Sequence, residues 1–196
     1  MTKPFCWIET VDREEAGPEL ADAYDEVCRG DGSVHNMYQA FATRPDLLVL
    51  ADRFYRELLH SPRRSLEPWV QELIATWVAI LCGCRYAKDN HGANMAGLLG
   101  DPDRGQAMLE ELEAGKIPAD TDSRLAAILA YARKLTLEPA AMVKADVAAL
   151  REAGLGDAEI FEVNQIAANF AYWARMLNGL GVTADGEPVG MYRDRP

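Results

Sequence analysis

Apolar residues recur along this chain at steps of three and four, and no two-residue alternation of useful length interrupts them. That pattern predicts helices throughout and no sheet. The longest run is the plainest. Ile160, Val163, Ile166, Ala167, Phe170, Trp173, Ala174 and Leu177 fall on one helical face, with Gly156 and Asp157 ahead of them as a start and Gly179 and Gly181 behind them as a stop. A second strong helix opens at Pro45 and Asp46 and closes near His60. Its apolar set is Leu47, Leu50, Ala51, Phe54 and Leu58, with Leu48, Tyr55 and Leu59 widening the stripe. Leu125, Ile128, Leu129, Ala132 and Leu135 mark a third, capped by Asp122 or Ser123. Further helices are predicted at 18–29, 66–81, 84–99, 139–153 and, as a short exposed piece rich in Glu, at 102–115. The sum is an all-α helical bundle of seven to nine helices. It forms one domain over residues 1–196, with its core at about 15–182 and loose termini; the polar tail 183–196 is expected to be loose or laid on a neighbour.

Composition narrows the partners. The chain has 196 residues, and 20 Lys+Arg against 31 Asp+Glu give a formal net charge of −11. Binding nucleic acid requires clustered cations that neutralise phosphates, and an anionic membrane surface attracts polybasic segments, so neither is an expected partner. The longest uncharged run, 73–84, is twelve residues. It falls short of the roughly 20 apolar residues of a membrane-spanning helix and reads as a buried helix. No apolar leader is seen at the start, and four cysteines in a chain of this length do not make a secreted disulfide framework. The expectation is a cytoplasmic protein with free thiols. The imidazoles are His35, His60 and His91 and no CxxC pair accompanies them, so no metal is expected, and no cofactor is called for.

One stretch carries chemistry. Between Glu72 and Gly92 the chain sets an acid, two thiols (Cys82 and Cys84), a phenol (Tyr86) and an imidazole (His91) beside its most apolar run. At about 100° per residue, Cys84, Ala87 and His91 share a helical face, whereas Glu72 lies about 120° away on a straight helix. Cys82-Gly83 offers a break. Two helices meeting at Gly83 are expected to turn Glu72 on the first toward Cys84 and His91 on the second. A thiol at a helix start beside an imidazole is expected to have a lowered pKa. Cys82 reads as core, and His35 and His60 as structural. Asn164, Gln165 and Asn169 interrupt an apolar helix and read as hydrogen-bonding groups at a helix crossing or an oligomer seam.

This constellation resembles the alkylhydroperoxidase D and carboxymuconolactone decarboxylase superfamily, especially its peroxidase-related branch, in the pattern Glu-x11-Cys-x-x-Cys-x3-His. Glu72 matches the acid, Cys84 the first cysteine, Tyr86 the aromatic or His position, and His91 the histidine. Gly32-Ser-Val-His-Asn36, Arg44-Pro-Asp-Leu47 and the segments 66–75, 131–136 and 150–154 are similar too, so the resemblance spans residues 15–182. It implies a helical bundle that assembles as a homo-oligomer (trimer, dimer or hexamer), a small-molecule hydroperoxide as substrate and a dithiol as electron donor. In redox members the second cysteine attacks the peroxide, becomes a sulfenic acid and is resolved by the first, while the Glu and His relay protons.

Here Ala87 stands where that second cysteine belongs, an alanine either native or engineered. The resemblance therefore implies a peroxidase-related thiol oxidoreductase without its attacking sulfur, in which Cys84 acts alone and is recycled by an external thiol. Tyr86 reads as packing more than as a relay, because a phenol's pKa of about 10 suits neutral-pH proton transfer poorly. Two alternatives stay open. One is a carboxymuconolactone decarboxylase-like lyase that uses His91 and Glu72 for proton transfer on a small acid. The other is a non-catalytic oligomeric protein that keeps only the fold.

Overall fold

Residues 5–190 are described by the computed structural model; residues 191–196 of the tail expected to be loose, like 1–4, lie outside the described residues. The elements in chain order are α1 (Pro18–Val27), α2 (Asn36–Gln39), α3 (Pro45–His60), α4 (Pro68–Leu81), α5 (Arg85–Leu99), α6 (Pro102–Glu113), α7 (Ser123–Leu137), α8 (Lys144–Glu152) and α9 (Asp157–Leu180), with 3₁₀ turns at Arg13–Glu15 and Pro139–Ala141. No strand occurs among the described residues, as the periodicity predicts.

Helix α4 is the hub. Every residue from Val70 to Ala79 is buried, so this helix has no solvated face, and a helix that is apolar all round belongs inside. It packs against α5, α7 and α9. Pro68 suits its first turn because the missing N–H is one the helix would leave unpaired anyway. Helix α9 lays the predicted face on this core: Ile160, Val163, Ile166, Ala167, Phe170, Trp173, Ala174 and Leu177 are all buried. Asn164 donates to the Tyr131 hydroxyl at 3.0 Å, a bond across the α7–α9 crossing as expected. Asp122 caps α7 by accepting the Leu125 N–H at 2.7 Å.

Four expectations need correction. On α3 the period is right and the face is wrong. Leu48, Asp52, Tyr55 and Leu59 point inward, while Leu47, Leu50 and Phe54 are exposed. The reason is Asp52, a buried polar residue satisfied by the Tyr38 hydroxyl and Arg56, which a hydrophobicity count places on the outer face. Helix α6 is not merely an exposed piece, since Met108 and Leu112 enter the core. The helix predicted over 139–153 is broken at Met142 and Val143, both extended, because Asp146 accepts the Val143 N–H at 2.7 Å and starts α8 anew. Finally, tail residues 183–190 lie on their own chain. Asn36 Nδ2 donates to the carbonyls of Thr183 (2.8 Å) and Asp185 (3.1 Å), and the Gly190 N–H donates to Asn90 Oδ1 at 3.0 Å.

Candidate active site

The α4–α5 hairpin builds the site. Gly83 adopts φ +64°, in the left-handed region that glycine enters without a Cβ penalty. Around it the Gly83 N–H reaches the Ile80 carbonyl at 3.0 Å and the Cys84 N–H reaches the Ala79 carbonyl at 2.8 Å. This paired closure is a Schellman motif, which satisfies carbonyls that a helix end would otherwise leave unpaired. Cys84 caps the next helix, and α5 returns alongside α4.

The return brings Glu72 and His91 together. His91 Nδ1 lies 2.6 Å from Glu72 Oε2, and Asn94 Nδ2 donates to Glu72 Oε1 at 3.4 Å. Glu72 is only 2% exposed, so its carboxylate needs these donors. With Nδ1 donating to the acid, the tautomer is set and Nε2 is left with its lone pair for the space beyond. The ring is held edge-on by Phe170 (centroids 4.5 Å apart) and by Tyr55 (6.3 Å).

That space is a cavity of about 40 Å³, whose wall includes Ala87, Tyr86, His91, Phe170 and Trp173. By the usual 10–15 Å³ per water-sized probe it takes about three such groups. The wall is mostly aromatic and aliphatic.

The structure separates Cys84 from this cavity. Its thiol is 2% exposed and packs in a cluster that includes Ala79, Ala174 and Leu177. The recess that reaches it lies on another side, between Gly83, Arg85, Lys88 and Glu113. The expected lowering of its pKa is also overturned. Burial pushes the thiol up, and the opposing N–H groups of Ala87 and Tyr86 do not offset it. The imidazole that was expected to help is bonded to Glu72 instead. Tyr86 is held neutral well above pH 10, first by burial and then by the neighbouring Glu187 carboxylate. Cys82 is half-buried with a free thiol, its pKa pushed up by burial.

Several residues of the site escape the sequence reading. His35, read as structural, lines the cavity, as do Tyr38, Tyr55 and Asn94. Glu187, from the tail, is buried beside Tyr86 and His35. Only His35-Asn36 carried a signal, as part of the resemblance; Glu187 sits in a segment with no periodicity at all. Among the described residues no group of three or more His, Cys, Asp or Glu side chains is placed to hold a metal ion, and no helix is long and apolar enough to cross a membrane.

No protein-family model matches the chain, and no curated protein does. Solved structures do. The chain is similar to an uncharacterized peroxidase-related protein of Silicibacter sp. TM1040, at 26% identity and a TM-score of 0.79 with 93% of each chain covered. It is similar in fold to an uncharacterized peroxidase-related protein of Ralstonia eutropha JMP134 described as an alkylhydroperoxidase AhpD core, at 23% identity and a TM-score of 0.80, again with 93% of each chain covered. A third likeness of fold is to the debrominase Bmp8, solved as a cysteine-to-alanine variant with 2,3,4-tribromopyrrole, at 17% identity and a TM-score of 0.73 over 90% of each chain.

Proposed function

We propose, from the premise that this chain is built on the alkylhydroperoxidase D-type fold of peroxidase-related proteins, that its cavity is a proton-transfer site for a small, largely apolar acid. The observation that carries this reading is the Glu72–His91 pair, 2.6 Å apart, beside a cavity whose wall holds Ala87 and no thiol. His91 Nε2 takes a proton from the carbon next to the substrate's carbonyl, the C–H electron pair passes to the carbonyl as an enolate, and Glu72 stabilises the imidazolium that forms. The same nitrogen then returns the proton, so the step is balanced without an oxidant. General acid–base catalysis of this kind contributes about 10²–10⁴-fold.

The test is hydrogen–deuterium exchange at that carbon of a small lactone acid, followed by NMR. Exchange is expected with the parent protein and is expected to fall by about 10²–10⁴-fold in His91→Ala. Exchange equal to the protein-free rate, or indifferent to His91→Ala, overturns the reading.

A second reading is favoured by the peroxidase-related neighbours and by the N–H groups of Tyr86 and Ala87 that face the Cys84 thiol. In it the Cys84 thiol gives up its proton to water, the thiolate attacks the outer oxygen of a hydroperoxide, the O–O bond breaks, and the departing alkoxide takes a proton back from water. An external dithiol then reduces the sulfenic acid to the thiol, releasing water and its own disulfide. A dimedone adduct on Cys84 after exposure to cumene hydroperoxide supports this. Absence of the adduct, together with no dithiol-driven peroxide reduction by Ala87→Cys, removes it.

A further inference from the structure

The cavity beside His91 shares a wall with a broader open basin of about 500 Å³. The residues common to both are His35, Tyr38 and Tyr55. Past them the basin runs to Arg56, His60 and the tail residues Pro188 and Gly190. These three rings therefore stand between the basin and the inner cavity.

Two of the rings are anchored within the bundle. The Tyr38 hydroxyl donates to buried Asp52 at 2.6 Å, and Asp52 pairs with Arg56 at 2.7 Å. Tyr55 is wedged edge-on between His60 and Phe170. His35 is different. It stands ahead of the four-residue α2 and is gripped by Arg29, and the group that faces this Arg29–His35 pair arrives from the far end of the chain. The Glu187 side chain is 6% exposed; its carboxylate accepts the Asn36 N–H at 2.9 Å and lies 3.6 Å from both His35 Nδ1 and Arg29 Nη2. Arg29 makes the direct grip, with Nε donating to His35 Nε2 at 3.0 Å and Nη2 2.7 Å from His35 Nδ1, and Nη2 also donates to the Pro188 carbonyl at 3.1 Å. Burial works against the Glu187 charge, but the groups that face it from His35, Tyr86 and Asn36 outweigh it and hold the pKa below the ordinary carboxylate value.

We infer that substrate reaches His91 from the outer basin between His35, Tyr38 and Tyr55, and that Glu187 is a specificity-determining residue that holds the Arg29–His35 pair in place and so limits the width of what passes. The substrate class follows: a molecule with a slender apolar reacting end, whose polar remainder stays in the basin beside Arg56 and His60. This rests on the cavity being the reaction site, as proposed above.

The test needs no turnover. In a Cys84→Ser background, Ala87→Cys sets a reporter thiol on the inner wall. Its labelling is timed by peptide mass spectrometry with a small reagent, methyl methanethiosulfonate, and a bulky one, fluorescein maleimide, each normalised to its rate on free cysteine. With Glu187 intact, the normalised small-to-bulky ratio is expected to exceed unity by about tenfold, equivalent to 1.4 kcal/mol of selective access. Glu187→Ala, and separately His35→Ala, are expected to bring it back to unity while helix content is kept. A ratio of unity with Glu187 intact overturns the restricted passage. A ratio that both substitutions leave unchanged overturns the role of Glu187 and His35. If Glu187→Ala fails to fold, His35→Ala decides alone, since it removes the ring and spares the bond from Asn36 to Glu187. A null result in the exchange assay beside a positive result here would discard the proton-transfer reading and keep the size filter.

Discussion

Glu72 lies in the most apolar helix of the molecule, where an unpaired carboxylate would cost several kcal/mol. Its partner His91 removes that penalty and gains an oriented ring, so stability and chemistry draw on the same contact. Glu72→Gln keeps the shape but loses the charge that stabilises an imidazolium. We expect it to lower exchange by about 10²-fold, the low end of acid–base contributions, with an unchanged circular dichroism spectrum; parent-like exchange would refute the role given to the acid.

A second residue-scale prediction concerns pH. Burial, and then the charge of Asp12, push Tyr24 up to about 12 from the ordinary 10.0. The unfolded chain thus loses this proton first as pH rises. The stabilisation is complete below pH 10 and drains away between 10 and about 12. Tyr38 and Tyr86, also raised, act in the same direction. Tyr24→Phe should therefore show a shallower alkaline loss of stability in denaturant titrations. It should also lose about 1 kcal/mol at neutral pH, because its hydroxyl donates to the Val11 carbonyl.

At the scale of elements, the helix crossings explain which small residues matter. Gly105 on α6 faces Ala96 on α5 so closely that an added Cβ would fall 2.9 Å from the Ala96 Cα and Cβ. Alanine is the better helix former by about 1 kcal/mol, yet here overpacking of about 1–3 kcal/mol should win. Gly105→Ala is expected to lower the thermal midpoint, and a raised midpoint would show that α5 and α6 separate at no cost. The elements also show what periodicity can and cannot convey. The faces of α7 and α9 are legible because their inward positions are almost purely apolar. The face of α3 is not, because Asp52 is inward and its partner Tyr38 comes from another helix. Helix α2 escapes prediction for a simpler reason, since four residues make one turn and carry no period.

For the whole molecule, the misassigned stripe of α3 becomes informative. Leu50 (61% exposed) and Phe54 (48%) on α3 stand out, with Phe161 (67%) and Tyr172 (50%) on α9, the helix against which α3 packs. Leu50 and Phe54, four residues apart, share one face of α3, and an exposed apolar patch of this kind marks a contact surface. The homo-oligomer implied by the resemblance is expected to use this face. Leu50→Glu combined with Phe54→Glu should lower the sedimentation coefficient to that of a monomer without loss of helix content. A parent protein that already sediments as a monomer would end the idea. At this scale the all-α bundle is borne out by nine helices among the described residues and by peroxidase-related neighbours of the alkylhydroperoxidase D type.

The sequence by itself determined the long helices, the break at Gly83 and the meeting of Glu72 with His91, because each follows from local periodicity, from a left-handed turn that glycine favours, and from spacing across one hairpin. Only the tertiary structure decided that the Cys84 thiol is buried away from the cavity with its pKa raised, that α3 turns Asp52 inward, and that Glu187 comes back to hold the Arg29–His35 pair. Those outcomes depend on desolvation and on charges brought together from opposite ends of the chain, and neither quantity is written in the order of residues around any one of them.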